Sequence, residues 1–234
     1  MNGSIAIPML CQSRSLYLRH TVPNDAALLF DQGFSQREFM RLFRLNDTPK
    51  SQAEVHQNLV QRQQILPDRQ KYLELLIVHK KHGAIGLAAL ADYSPLHRRA
   101  EYLIGLFDST HRGIGHGIET TLLVLDLAFN SYKLHKVSAS TYGYNPRRLE
   151  GLGFCLEGKR KDHIFDPIAN RFVDLQDYGL TVDAFRQNQR LVPLSKRLLN
   201  RDITQAIAVP QHRPDAIAQS GHRILRSPPK VCSF

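Results

Sequence analysis

The chain has 234 residues, of which 42% are hydrophobic and 22% are charged, as in an ordinary globular domain. No run approaches the roughly 20 apolar residues of a membrane-spanning helix, and the first residues show no secretory signal. The net charge is +10, but +6 of it falls between Asp183 and Phe234, where nine Lys and Arg face three Asp and Glu. Because over half of the excess charge sits in the tail, it is only a weak argument for a nucleic-acid-binding domain, and no nucleic-acid partner is expected. A ribosome- or RNA-associated factor that uses the basic tail is the alternative. Three widely spaced cysteines predict neither a disulfide framework nor a zinc site, so we expect a cytoplasmic protein without membrane association.

The first half of the chain alternates between strand and helix signals. Residues 1–14 show no regular pattern and are expected to be flexible, whereas alternating polar and apolar side chains predict a strand at 15–22. Two helices should follow, one closing at Gly33 and one lying between Pro49 and Pro67. Runs of β-forming residues then predict strands at 72–78, 84–90 and 100–107.

The second half begins with a mostly apolar helix. Ile114, Ile118 and Leu122 fall on one helical face, and the stripe continues to Phe129. The next predicted elements are a strand at 135–142, a short helix near 146–151, and two closing strands in "GFCLEGK" and "RFVDLQDYGLT". This order predicts a mixed α/β fold. Residues 183–234 are expected to be a basic tail, partly disordered, with a short amphipathic helix in "VPLSKRLLNRDITQAIAV".

The segment "HRGIGHGIE" (111–119) carries three alternating glycines between a predicted strand and a predicted helix. A plain turn accounts for only one glycine. A dinucleotide loop needs G-x-G-x-x-G and a later acidic residue at the next strand, and this segment has neither. What remains is Arg112-x-x-Gly115-x-Gly117 at the start of a helix. This arrangement suits a pyrophosphate, because backbone N–H groups and the positive end of the helix dipole face the anion.

The pattern resembles the acetyl-CoA loop of the GNAT superfamily of N-acetyltransferases, [Gln/Arg]-x-x-Gly-x-[Gly/Ala]. The later segments "NPRRLEGLGFCLEGKRK" and "NRFVDLQDYGL" are similar to further family segments, and the resemblance covers about Leu16 to Leu180. It is closest to the branch of the ribosomal-protein N-terminal and spermidine acetyltransferases. It implies a GNAT domain at 15–182, with a mixed central sheet of about six to seven strands and helices on both faces. It also implies transfer of an acetyl group from acetyl-CoA to a primary amine.

The resemblance assigns catalytic roles to single residues. Glu101 matches the glutamate that often opens the central strand and would be the general base. From the residues alone, an ion pair of Glu101 with Arg98 or Arg99 is the alternative. The candidate for protonating the leaving thiolate is Tyr144, with Tyr142 or water as alternatives.

Cofactor binding follows from the same resemblance. No metal site is predicted, because His111 and His116 lack further ligands at suitable spacing. Ile104, Gly105 and Leu106 would contact the acyl-pantetheine arm, Asn145 would contact the arm near the following helix, and the pyrophosphate would be held by Arg112, Gly113, Ile114, Gly115, His116 and Gly117.

Two features leave alternatives open. Leu149 stands where many relatives have a tyrosine, and only eight residues separate Asn145 from Gly153, where relatives usually have eleven. A GNAT-fold module that binds acyl-CoA or a protein without turnover is therefore the alternative function.

The acceptor is expected beside "REFMRLFRLND" (37–47), where Arg37, Arg41 and Arg44 outnumber two acidic residues. This charge suits a peptide N-terminus or a neutral or acidic small amine better than a polyamine. The resemblance also allows a homodimer.

Overall fold

The protein is described by a computed structural model, which covers residues 8–45, 47–65, 69–142 and 147–206. One eight-stranded sheet runs through it in the order β1-β2-β3-β4-β5-β6-β8-β7. Its strands are β1 (Met9–Gln12), β2 (Leu16–His20), β3 (Leu73–His79), β4 (Gly83–Ser94), β5 (Arg99–Leu106), β6 (Lys136–Thr141), β7 (Cys155–Asp166) and β8 (Arg171–Thr181).

Helices cover both faces of the sheet. The α-helices are α1 (Ala26–Leu29), α2 (Arg37–Leu42), α3 (Gln52–Gln64), α4 (His116–Asp126), α5 (Arg147–Gly151), α6 (Val182–Gln187) and α7 (Leu191–Leu199). Single π-helical turns extend α1 over Phe30–Phe34 and α4 over Leu127–Ser131. No described helix is long and apolar enough to cross a membrane.

The core has two halves, one on each face of the sheet. β3 has the sequence LELLIVH, and all seven residues are buried because helices pack on both of its faces. Leu75 and Ile77 pack with the apolar side chains of α4, whereas Leu76 and Val78 pack with those of α1 and α3. The mixed α/β plan with helices on both faces is therefore confirmed.

Two expectations need correction. The sheet has eight strands rather than six to seven, because Met9–Gln12, within the segment expected to be flexible, pairs antiparallel with β2. This strand has only four residues, and none of its side chains is fully buried. The alternation of apolar and polar residues that predicts longer strands is therefore missing here.

The start of the predicted tail is also built into the domain. α7, which matches the predicted amphipathic helix, buries Leu191 and Leu199 in the core half on the α4 side. After α7, Arg201 forms an ion pair with the buried Asp126 of α4, with 2.6 Å between Nη2 and Oδ2. Residues 183–206 are thus packed against α4, and the remainder of the predicted tail lies outside the described residues.

Candidate active site

A gap in the sheet lies beside its central strand. β5 and β6 are parallel neighbours, and they pair only where Arg99–Glu101 faces Lys136–Ser138. Beyond these residues the two strands diverge and enclose a cavity of about 280 Å³. Its walls include Tyr102, Ile104 and Leu106 of β5, residues 139–141 of β6, Gly117, Ile118 and Thr121 of α4, and Leu149 and Leu152.

The three residues expected to contact an acyl-pantetheine arm lie along this gap. Ile104 and Leu106 line the cavity directly. Gly105 faces the other side of the sheet from Ile104 and Leu106, and a Cβ added to it would lie 2.5 Å from Cε2 of Phe39. Glycine at this position therefore lets the Phe39 ring of α2 pack directly on the central strand. The sequence motif does not reveal this role.

The glycine loop opens into the same cavity. Gly113 and Gly115 have φ values of 87° and 103°, which favour glycine, and Gly115 is the residue that caps the N-terminus of α4. Arg112, Gly113, Gly115 and Gly117 all line the cavity, while the exposed Ile114 does not. The His116 side chain is also absent from the lining; it is buried, and its ring packs against that of His79.

Unpartnered polar atoms test whether this loop fits an anionic cofactor. Arg112 Nη2 donates to the Leu106 carbonyl at 3.2 Å, but Arg112 Nε is buried without a hydrogen-bond partner. The Nδ1 atoms of His111 and His116 are likewise buried and unpartnered. Leaving such groups unpaired costs about 1–3 kcal/mol each. A pyrophosphate at the N-terminus of α4 would give Arg112 an acceptor, so these residues fit the group.

Glu101 lies where β5 and β6 begin to diverge. The register between β5 and β4 is continuous from Leu106 back to Glu101, and the irregularity beyond it lies on β4 between Ala91 and Ser94. Regular alternation therefore places Glu101 on the same face as Gly105, toward α2. The side chain is 32% exposed, and its Oε1 lies 3.4 Å from Nη2 of Arg44.

The ion-pair partner of Glu101 is not the one considered from the sequence. Arg99 instead contacts Asp92 on the β4 irregularity. Arg44 follows α2 and is only 15% exposed. Burial lowers the pKa of its guanidinium, and the Glu101 carboxylate partly offsets this effect.

A second cleft of about 400 Å³ lies on the Glu101 side of the sheet and is lined by the three arginines expected there, Arg37, Arg41 and Arg44. Arg41 forms an ion pair with Asp166, which is buried, at 2.7 Å from Nη2 to Oδ2. Burial favours the protonated form of Asp166, but the backbone N–H groups of Ile168 and Ala169 and the Arg41 guanidinium outweigh it and lower its pKa.

Tyr142 is the catalytic alternative that the structure describes. It is 8% exposed, it lines the arginine cleft, and the Arg41 guanidinium carbon lies 5.7 Å from the centre of its ring. Burial raises the pKa of its hydroxyl, which keeps it protonated at neutral pH. Tyr144 and Asn145, the other residues assigned near the thiol, lie outside the described residues.

Several residues of the cavity were not expected. The Tyr102 hydroxyl lies 3.0 Å from the Thr121 hydroxyl, which donates to the Gly117 carbonyl at 2.7 Å, so the loop and the central strand are joined by polar contacts. Arg148 of α5 lines the opposite wall. The contact between Tyr102 and Thr121 joins two different elements, and no local sequence motif predicts it.

The segment after the cavity is short, as expected. α5 spans five residues, Arg147–Gly151, and Leu149 places an aliphatic side chain in the cavity wall. Across the described part of the chain, no group of three or more His, Cys, Asp or Glu residues is arranged to hold a metal ion.

Comparison with known proteins supports the same family. Residues 15–150 match the model of the acetyltransferase (GNAT) domain. No curated protein sequence is similar enough to count as a match. Among solved structures, a spermidine/spermine N-acetyltransferase from Vibrio cholerae has 20% identity and a TM-score of 0.60, covering 71% of this chain and 92% of that one. A dodecameric spermidine N-acetyltransferase from the same organism has 19% identity and a TM-score of 0.64, covering 75% and 98%.

At this identity the solved structures show a shared fold. The family match covers more than half of the chain, and it includes the diverging strands, the glycine loop and Glu101. The chain therefore belongs to the GNAT family of acetyltransferases, which transfer an acetyl group to an amine.

Proposed function

We propose that this protein binds acetyl-CoA in the gap between β5 and β6 and transfers its acetyl group to a primary amine held on the Glu101 side of the sheet. The observation that carries the proposal is the continuity of the 280 Å³ cavity with the glycine loop at the N-terminus of α4. A long ligand with an anionic end and a narrow arm would fill both at once.

The loop would hold the pyrophosphate. Gly113 and Gly115 present backbone without Cβ atoms, and the first turn of α4 has free N–H groups because no earlier turn accepts from them. Arg112 would add a charged donor through its unpartnered Nε. The backbone N–H groups of Ile114 and His116 would contribute, while their side chains would not.

The central strand would hold the arm. After Glu101, β6 no longer pairs with β5, so backbone groups on that edge of residues 102–106 are available to the arm and to the acyl carbonyl. Hydrogen bonds from fixed backbone N–H groups to a developing oxyanion are a large source of rate enhancement. Ile104 and Leu106 supply the apolar walls.

Bound acetyl-CoA supplies the thioester that the amine attacks. Glu101 would accept a proton from the acceptor ammonium, because a carboxylate near the divergence point faces the acceptor side and is reachable from solvent. Arg44 would hold this carboxylate in position. Tyr142, or Tyr144, would return a proton to the leaving thiolate.

We propose a peptide N-terminus, or a small neutral or acidic amine, as the acceptor. The support is the arginine cleft, which Arg37, Arg41 and Arg44 line and in which Arg44 pairs with Glu101. Although the similar solved structures are named for spermidine, a polycation would meet like charges in this cleft, and desolvation strengthens such repulsion.

Two measurements test the proposal in sequence. Saturation with acetyl-CoA at about a hundred times its Kd should stabilise the fold by about 2.7 kcal/mol, which thermal unfolding detects as a higher Tm. Release of free thiol should then be measured over a panel of peptide N-termini, neutral amines, acidic amines and spermidine. The absence of any thermal shift would contradict cofactor binding, and turnover restricted to spermidine would contradict the acceptor class.

A module without turnover is the second candidate. The short α5 and the aliphatic Leu149 favour it, because the cavity wall lacks the hydroxyl that many relatives place there. A thermal shift without thiol release on any acceptor of the panel would support this candidate over the enzyme.

We also propose that the protein is cytoplasmic and self-associates at least to a dimer. Among the described residues Cys11 and Cys155 are free thiols, as is usual in a reducing compartment. The sheet ends in two edge strands, β1 and β7, that can accept a partner. Sedimentation or light scattering measures the mass in solution.

A further inference from the structure

Four histidines gather beside the glycine loop, and none of the four is among the residues that line the cavity. His79 and His82 belong to the hairpin between β3 and β4, His111 belongs to the loop, and His116 begins α4. Ring centroids are 4.5 Å apart for His79–His82, 5.1 Å for His79–His116, 5.4 Å for His111–His116 and 6.0 Å for His82–His111. We refer to these four residues as the histidine cluster.

The cluster runs from the surface into the protein. His82 is exposed and His111 is half-buried, while His79 and His116 are each 9% exposed. Nδ1 of His79 accepts from the backbone N–H groups of Lys81 and His82 at 3.1 and 3.2 Å, so a neutral His79 carries its proton on Nε2.

Two ring nitrogens in the cluster lack a partner. Nδ1 of His116, whose side chain is nine-tenths buried, makes no hydrogen bond, and Nδ1 of His111 makes none either. Among the described residues, no group of three or more His, Cys, Asp or Glu is arranged to hold a metal ion. An anion that accepts from protonated rings satisfies the unpaired nitrogens.

The charges around the cluster are mostly positive. The hairpin adds the exposed Lys81 and also Lys80, whose Nζ donates to the Ser13 carbonyl at 2.7 Å, and the loop adds Arg112. Glu119 of α4 lies next to His116, but its two oxygens already accept from the backbone N–H and the hydroxyl of Ser15 at 2.9 and 2.6 Å.

Asp108 and Glu38 are the remaining acidic groups near the loop. Asp108 accepts from the backbone N–H of Thr110 at 2.7 Å, and Oε2 of Glu38 lies 3.9 Å from Nη1 of Arg112. These carboxylates are therefore engaged within the fold, and among the contacts of the described residues no acidic side chain forms an ion pair with His82, His111 or Lys81.

We propose that the histidine cluster is a phosphate-monoester subsite adjoining the pyrophosphate loop, and that the phosphate it takes is the 3′-phosphate of the CoA donor. That the phosphate belongs to CoA rests on the proposed function. That the subsite binds a phosphate monoester rests on the histidine cluster itself. A dianionic phosphate monoester has three terminal acceptor oxygens, which suits a set of convergent imidazole and ammonium donors.

Binding at this subsite is linked to proton uptake. In the free protein, burial and the neighbouring imidazoles lower the pKa values of His79 and His116. A nearby dianion favours imidazolium instead, so the affinity for the phosphate rises as the pH falls from about 8 to about 6.

The test compares CoA with 3′-dephospho-CoA by titration calorimetry on the full chain. At about pH 6 the protein should bind CoA roughly tenfold tighter than 3′-dephospho-CoA, and this ratio should shrink at about pH 8. The double substitution His82→Gln with His111→Gln should bring the ratio at the lower pH close to one. His56→Gln, an exposed histidine on α3, should leave the ratio unchanged.

A ratio that persists in the double variant, or that is already close to one in the unaltered protein, overturns the subsite. Tight binding of 3′-dephospho-CoA in the same experiment preserves the proposed function, so the two failures are distinguishable. If neither nucleotide binds, inorganic phosphate decides the subsite: a thermal shift at about pH 6 that the double variant loses supports a free phosphate ligand, and no shift overturns the subsite.

Discussion

The two ends of the active site are built by different means. At the cofactor end, one continuous segment from β5 through the glycine loop into α4 supplies the strand edge, the loop and the helix N-terminus. At the acceptor end, contacts join residues that are far apart in the chain, such as Arg41 with Asp166 and Arg44 with Glu101. The cofactor end thus depends on backbone geometry, whereas a few side chains can change the acceptor. A shared fold at about 20% identity to a spermidine acetyltransferase is therefore compatible with the arginine-lined cleft that we propose as the acceptor site.

The largest expected effect is a loss of kcat on substitution of Glu101, without a change in cofactor binding. Glu101→Gln keeps the size of the side chain and removes its ability to accept a proton. Since positioned general bases contribute about 10²–10⁴-fold, kcat should fall by that order with the best acceptor. The Kd of acetyl-CoA should be unchanged, because Glu101 does not line the cavity.

Glu157→Gln is the matched control for this change. Glu157 forms a surface ion pair with Lys136, with 2.7 Å between Nζ and Oε2, and such pairs contribute little to stability. Its kcat should stay within about twofold of the unaltered protein. Equal losses for both variants would assign the effect to general disturbance of the sheet and not to Glu101.

The second effect lies at the cofactor end. Gly115→Ala forces a Cβ onto a backbone with φ of 103°, which alters the loop where N–H groups should converge on the pyrophosphate. We expect the Kd of acetyl-CoA to rise about 10- to 100-fold. Gly158→Ala is the control, because Gly158 of β7 does not line the cavity, has no positive φ, and an added Cβ there meets no atom within 4 Å. Its Kd should stay close to that of the unaltered protein, and equal weakening by both substitutions would assign the effect to general disturbance of the fold and not to the loop.

The contrast between the cofactor end and the acceptor end also explains how much of the structure could be predicted from the sequence. The order of strands and helices and the cofactor loop follow local rules, because glycine spacing, helix starts and alternation are written in neighbouring residues. Arg112, Gly113, Gly115 and Gly117 all line the cavity, and their binding of the pyrophosphate stays a prediction.

The other features of the site depend on contacts between residues that are far apart in the sequence. Arg44, rather than Arg98 or Arg99, pairs with Glu101 because α2 is brought onto the central strand by Phe39 packing on Gly105. His116 was expected to hold the cofactor, but its ring packs with His79 from a hairpin that precedes it by more than 30 residues. β1 escaped prediction because a short edge strand needs little hydrophobic pattern.

A third, smaller effect probes the acceptor end. Asp166→Asn removes the charge that partners Arg41 while keeping an oxygen for the backbone N–H groups of Ile168 and Ala169. Because an unpaired guanidinium then remains beside the cleft, we expect a lower Tm and an altered KM for the acceptor, with the Kd of acetyl-CoA unchanged. Asp92→Asn breaks the exposed pair with Arg99 and should lower the Tm less. A larger effect of Asp92→Asn would show that the Arg41 pair does not support the cleft.

The smallest effect is a pH dependence of stability that comes from buried and half-buried histidines, two of them in the histidine cluster. Burial and neighbouring imidazoles lower the pKa values of His79 and His116, and burial lowers that of His20. An unfolded histidine titrates near 6.5, so below this pH the unfolded chain binds more protons than the folded protein. The free energy of unfolding should therefore be highest above about pH 6.5 and should fall as the pH drops through the lowered folded values.

Substitution at the cluster surface sharpens this last prediction. His82→Gln removes one of the imidazoles that lower the pKa values of His79 and His116, so the loss of stability between about pH 7 and pH 5.5 should be smaller than in the unaltered protein. His56→Gln should leave the loss unchanged, since His56 lies exposed on α3. Denaturant unfolding at several pH values measures the difference. Identical pH profiles for His82→Gln and the unaltered protein would show that the rings do not interact electrostatically, and the remaining slope would then belong to burial at His20 and at the two inner histidines.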